Sequence, residues 1–197
     1  LGSIEAVVPV LVIRRKGGAL DTLFRMKEEG LVQAAGIAMG RIDILLPILR
    51  DWPFDLVLSH NRFTLVNRSA APVIELAAER GIVFFNAAPF AGGVLAKGSA
   101  TVRRITYQDA DDAALAPIRA VEALCQRDGV APGALALQFS MQQPGITSTV
   151  VGVSRPDRVA QTLDWAGQDI TLRTFEAGTS ASYSSEDPEV GRVYLPG

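Results

Sequence analysis

Residues 86–98, NAAPFAGGVLAKG, leave an apolar run and enter a loop with one proline, three glycines and no charge before Lys97. Small side chains let backbone N–H groups come close to a ligand, and phosphate is the usual ligand of exposed N–H groups. For a single glycine-rich loop, an ordinary strand-to-helix turn is the commoner reading. Other means for chemistry are sparse. His60 is the only histidine and ends an apolar run, where a lone imidazole is more often structural than ligating. Cys125 is the only cysteine, which excludes an internal disulfide, and one His with one Cys makes no spaced set of metal ligands. Neither common nucleotide fingerprint occurs: no Gly-x-Gly-x-x-Gly follows the first strand, and no Gly-x-x-x-x-Gly-Lys loop exists.

Composition narrows the class further. The 197 residues are 48% hydrophobic, enough for one sizeable core. A net charge of −2 leaves no clustered Lys and Arg for a nucleic-acid face, and Arg14-Arg15-Lys16 reads as a solvated turn. No apolar stretch reaches the roughly 18 residues of a membrane helix. The run VVPVLVI is too short, and no signal-peptide cleavage site follows it. A single cysteine suits a reducing compartment. These features predict a cytoplasmic, metal-free chain with neither nucleic-acid nor membrane partners.

Strand and helix patterns alternate along the chain. Strands are expected at residues 6–13, 32–38, 54–60, 82–86 and 147–153. Helices are expected at 18–30, 41–51, 69–81, 111–129, 132–143 and 155–167, with Gly30 and Gly81 ending two of them and Ser69 capping the third. Pro47 weakens the second, and Pro156 opens the last. From about residue 170 the composition turns to Ser, Thr, Gly and Glu, predicting a C-terminal surface tail at 171–197 after one domain at 1–170. Strands apolar on both faces, alternating with helices, imply an α/β fold with a parallel sheet covered by helices. An open doubly wound sheet and a (β/α)8 barrel both put ligands at the carboxyl ends of the strands. The missing fingerprints favour the barrel.

Several ordered segments resemble the aldo-keto reductases. ALDTLFRMKEEGLVQAAGIAMG is similar to that family's stretch leading into the fifth barrel strand. RGIVFFNAAPFAGGVLAKG resembles its seventh strand and loop, and STVVGVSRPDRVAQTLDWA its eighth. SHNRFTLVNRSA and DPEVGRVY are nearer to the branch of L-fucose and D-threo-aldose 1-dehydrogenases, L-galactose dehydrogenase and pyridoxal 4-dehydrogenase. The resemblance covers residues 18–170. It implies a (β/α)8 barrel that is incomplete, holding about the C-terminal four to five βα units.

The resemblance also implies an NAD(P)-dependent oxidoreductase passing hydride between nicotinamide and a sugar or aldehyde substrate, with NADP or NAD as cofactor. Ala88, Pro89, Phe90 and Gly92 match the loop that wraps the pyrophosphate through its main chain. Gly152, Val153, Ser154 and Arg155 fall at the ribose-phosphate corner. Arg158 matches an adenosine-clamping Arg, and Gln161 and Thr162 replace the pair that holds adenine. His60 falls near a Gln that touches the nicotinamide carboxamide. Ala38, Met39 and Ala87 stand where the family often has polar or aromatic contacts. The family's Asp, Tyr, Lys and His tetrad finds no counterpart: the strand at 6–13 ends without the His, Lys16 is on the wrong element, and Tyr107, Tyr183 and Tyr194 are misplaced. No catalytic residue is therefore assigned. The alternative is a non-catalytic half-barrel remnant that binds nucleotide or assembles with another chain, self-associating through open sheet edges.

Overall fold

Leu20 and Phe24, four residues apart, turn inward together on α1 (Ala19–Glu28), and Gly30 at φ +74° supplies the left-handed turn beyond it. The computed structural model describes residues 15–189. The strand expected at 6–13, with Pro9, and Tyr194 lie outside the described residues. After α1 come β1 (Gly36–Ala38), α2 (Ile42–Asp51), β2 (Leu56–His60), α3 (Ala71–Arg80) and β3 (Val83–Ala87). A 3-10 turn at Ala91–Gly93 leads into the one-turn α4 (Val94–Lys97) and a hairpin, β4 (Arg104–Ile105) and β5 (Gln108–Asp109). Then follow α5 (Asp112–Asp128), α6 (Pro132–Met141), β6 (Ser148–Val150), α7 (Pro156–Gly167) and α8 (Leu172–Thr179). Helix α2 tolerates Pro47 because its buried face, Leu45, Ile48 and Leu49, is held in the core.

The sheet has the order β1-β2-β3-β6, every pair parallel. Its two faces differ. Val57, Ser59, Phe84 and Asn86 are buried, and Val57 and Phe84 join Leu45, Ile48, Val73 and Leu135 in the core beneath the helices. The alternate residues Leu56, Leu58, His60, Val83, Phe85 and Ala87 are only partly buried, and Val150 is 40% exposed. Cover on both faces was expected; among the described residues, helices cover one. Apolar side chains on both faces show that each needs cover, but not whether a helix or the far wall of a barrel supplies it.

Polar contacts fix the layers. Asn86 Nδ2 donates to Phe63 O (2.8 Å) and Ser140 Oγ (2.7 Å), and Ser140 Oγ lies 2.7 Å from Thr149 Oγ1, joining β3, α6 and β6. Lys27 Nζ pairs with Asp55 (2.6 Å), whose carboxylate also accepts from Ala35 N, holding the entries to β1 and β2 together. Ser69 does not cap α3: the helix starts one residue later with Ala70 as its N-cap, and Ser69 Oγ donates to Asn67 Oδ1 (2.7 Å). Burial pushes the Cys125 thiol up to about 11, as expected of an inert core cysteine.

Residues 171–189 carry α8 and bond back to the rest of the chain. Thr171 caps α8 by accepting from Thr174 N, and Thr174 Oγ1 donates to Asp128. That bond and the Arg127 guanidinium, the larger influence, hold the Asp128 carboxyl at about 2. Further on, Ser184 N donates to Val66 O (3.0 Å) and Arg68 N to Ser184 O (2.8 Å), pinning the segment back onto the loop after β2. Over residues 171–189 the polar composition supplies backbone and side-chain bonding partners.

Gly133 marks the tightest helix contact. A Cβ there would lie 2.4 Å from the Trp165 ring of α7, so the α6 backbone itself forms the seat for the indole. Gly133→Ala is expected to destabilise by about 1–3 kcal/mol through overpacking, exceeding the roughly 1 kcal/mol Ala gains over Gly in a helix. A urea midpoint equal to the parent's, with unshifted Trp165 emission, would show that the contact is loose.

Candidate functional site

The loops at the carboxyl ends of β2, β3 and β6 become neighbours because the strands end level, His60 beside Ala87 and Ala87 beside Val150. The pairing runs one step past each strand: Asn61 N donates to Ala87 O and Ala88 N to Val150 O, both at 3.1 Å. Asn61 and Ala88 then turn left-handed, at φ +58° and +56°. In the loop after β3, Ala91, Gly92 and Gly93 are also left-handed, at +50°, +73° and +98°. Such a curl excludes large or β-branched side chains, which is why the sequence there is so small. Gly92 N donates to Asn61 Oδ1 (3.0 Å), while the buried Asn61 Nδ2 has no partner among the described residues. The hairpin turn Thr106-Tyr107 is left-handed at both residues, a conformation usually given to Asn-Gly.

After β6, Arg155 caps α7 with its backbone only, and Pro156 occupies the first turn. Arg158 reaches Gln161 Oε1 (2.5 Å), and Thr162 Oγ1 donates back to Arg158 O (2.7 Å). Between these loops lies a cavity of about 290 Å³. Ala88, Pro89, Phe90, Gly92, Gly152, Val153, Ser154, Arg158, Gln161 and Thr162 all line it. The structure thus brings together ten of the twelve sequence-predicted residues. The other two stand apart: Arg155 pairs with Asp157 (2.6 Å), both exposed, and His60 ends β2, beyond β3.

The same cavity is lined by residues that sequence reasoning missed, notably Lys97, Tyr107 and Trp165. Trp165 follows Arg158 and Gln161/Thr162 at helical spacing, a signal that places it on their face of α7. Its ring meets Phe90 edge-on at 5.6 Å. Lys97 and Arg158 are the charged side chains on the lining, both cations. A wider hollow of about 600 Å³ lies beside Phe24, Trp52 and Pro53, near the amino end of β2. It is away from the strand ends where parallel α/β folds bind ligands.

On the His60 side sits Arg62, fully buried. Its Nη2 donates to Asp187 Oδ1 (2.9 Å) and Glu189 Oε2 (2.6 Å), its Nη1 to His60 O (3.1 Å). Burial, and then the Arg62 charge, push the His60 imidazole below its usual 6.5, against the opposite pull of Glu189 and Asp187. Sequence reading passed over Arg62 because its partners lie 125 and 127 residues away.

The profile of the Aldo/keto reductase family matches residues 17–176. The chain belongs to that family. It is 30% identical over 154 residues to the D-threo-aldose 1-dehydrogenase of a Pseudomonas species, covering 77% of this chain and 47% of that protein. It is 25% identical over 156 residues to the pyridoxal 4-dehydrogenase of Microbacterium luteolum, covering 79% and 46%. The chain spans about half the length of these curated relatives. An aldo-keto reductase from Bacillus halodurans, in its apo form, superposes with a TM-score of 0.68 at 16% identity, covering 88% of this chain and 59% of that one. Its holo form gives 0.66 at 15% identity. The fold of this aldo/keto reductase chain is therefore α/β with a parallel sheet, of the incomplete (β/α)8 barrel type. Among its described residues no helix is long and apolar enough to cross a membrane.

The cavity wall depends on Gly92, where a Cβ would lie 2.9 Å from Thr106 N at a left-handed backbone. Gly92→Ala is expected to cost about 1–3 kcal/mol and to speed amide exchange across residues 104–109. Unchanged exchange there would mean that the hairpin does not rest on Gly92.

Proposed function

We propose that this chain is the cofactor-binding half of an NAD(P)-dependent oxidoreductase acting on a sugar at C1 or on another aldehyde or carbonyl compound. The observation that carries this reading is the single cavity into which ten cofactor-matched residues converge, its charged lining made of Lys97 and Arg158. The site fits a dinucleotide. The left-handed loop presents a small-residue backbone to a pyrophosphate, and a Cβ at Gly152 would find nothing within 4 Å, leaving room beside Arg158. In this reading the main chain of Ala88–Gly92 holds the pyrophosphate, and Ser154 and Arg158 hold the ribose-phosphate end. Gln161, whose Oε1 already accepts from Arg158, turns its amide nitrogen to adenine. Bound there, the cofactor would supply hydride exchange between its nicotinamide and the substrate carbon. In this reading the family's Asp, Tyr, Lys and His have no matched counterpart in this chain, and Tyr183 is engaged elsewhere, its ring lying 3.9 Å from the Arg68 guanidinium. NADP and NAD both suit the site, two cations favouring a 2′-phosphate. The lone reduced cysteine supports a cytoplasmic setting.

Titration of NADPH and NADH against their own fluorescence tests the reading. Arg158→Ala is expected to weaken NADPH more than NADH, by about 1–3 kcal/mol for a lost charge-assisted hydrogen bond. Equal affinities in mutant and parent would return Arg158 to the solvated surface. Sugar-dependent reduction of NAD or NADP by residues 1–197 alone would refute the placement of catalysis elsewhere.

A second reading, a non-catalytic half-barrel that associates, is favoured by β1 and β6 as outer strands of the described sheet and by exposed Val150 and Val153 beside them. It predicts concentration-dependent sedimentation of the isolated chain. A compact monomer with one sharp, concentration-independent unfolding transition speaks against it.

A further inference from the structure

The geometry around His60 points to a role for the buried Arg62. We propose that Arg62 is a positioning residue that fixes His60 as the neutral tautomer protonated on Nδ1, making it an N–H donor to a carbonyl oxygen. The inference rests on the cofactor-half reading only for the use of that donor, not for its existence.

The local chain makes the contact. Left-handed Asn61 reverses direction after β2, so Arg62 folds back over its neighbour, with Nη1 3.1 Å from His60 O and 3.5 Å from His60 Nε2. A guanidinium has five N–H donors, no acceptor and a permanent charge. The ring nitrogen that faces it must therefore offer a lone pair. The proton of a neutral imidazole then belongs on Nδ1. A second proton would set two cations side by side in a half-buried site.

Among the described residues, the charged groups acting on His60 are Arg62, Glu189 and Asp187. Both carboxylates are already bonded to Nη2 of Arg62, so they hold the guanidinium in place more than they attract a proton to the ring. The fourth wall is Gly40, where a Cβ would lie 2.6 Å from Nη1. Segments from the loop after β1, from β2 and from the C-terminal stretch thus converge on one side chain. His60 itself stands on the sheet face that helices leave open, level with Ala87 at the carboxyl ends of the strands. A fixed donor there suits a ligand that carries an amide or aldehyde carbonyl.

With one histidine in the chain, the test is direct. Long-range 1H–15N correlation of the ring at pH 8, in solution or by magic-angle spinning if the chain self-associates, should show a several-fold excess of the Nδ1–H form. The midpoint should fall below that of a free imidazole. In Arg62→Gln the Nδ1–H excess should be lost in favour of the Nε2–H form, which an unconstrained imidazole prefers, and the midpoint should rise. A parent spectrum with Nε2–H dominant, or with both forms equal, overturns the proposal, and it decides the matter even if Arg62→Gln fails to fold. A folded Arg62→Gln with the parent's tautomer also overturns it, since a merely structural arginine leaves the ring unmoved. Adding NADPH separates the two claims. Nδ1–H dominance without any response of the ring or of Trp165 emission leaves the tautomer standing and removes the cofactor reading.

Discussion

Parallel pairing in register places His60, Ala87 and Val150 level, and every loop that could meet a ligand starts from that line. The ladder then extends one residue, through the amides of Asn61 and Ala88, before both residues turn left-handed by nearly the same angle. Two adjacent strands therefore release their chains in the same way, and the loops diverge from a common rim. A one-residue slip of β3 would exchange the faces of Asn86 and Ala87, burying an alanine where the Phe63 carbonyl and Ser140 need an amide.

The rim carries two electrostatic environments separated by β3. On one side Arg62 is enclosed and matched by two carboxylates. On the other, Lys97 and Arg158 face a cavity with no carboxylate among the described residues of its lining. Buried charge must be neutralised in place, whereas charge beside a solvent-filled cavity can be left for a ligand to neutralise. Enclosed and cavity-lining cations thus stand only a strand apart.

Much of this was legible in the sequence. The loop after β3 declared itself by its small residues, and family resemblance mapped Ala88, Pro89, Phe90, Gly92, Gly152, Val153, Ser154, Arg158, Gln161 and Thr162 onto residues that prove to line one cavity. What escaped has physical causes. The hairpin at 104–109 has strands of two residues, too short for any periodicity. Arg62 reads as surface because a charge in a polar stretch normally is, and nothing local names partners more than a hundred residues away. Ser69 has the right type for a cap, but the helix begins one residue later, with Ala70 as its N-cap. Cover on both sheet faces was inferred from strand hydrophobicity, which measures the need for cover and not its source.

The distance along the chain between Arg62 and Glu189 has a consequence for how the molecule is made. At about 5–20 residues per second, the ribosome delivers Glu189 roughly 6–25 s after Arg62. Throughout that interval the guanidinium lacks both of its carboxylates, and enclosing it alone would cost about 3–5 kcal/mol. The carboxyl end of β2 must therefore stay hydrated while the helices behind the sheet are already able to pack. The rim thus dries late, only once Asp187 and Glu189 have reached Arg62.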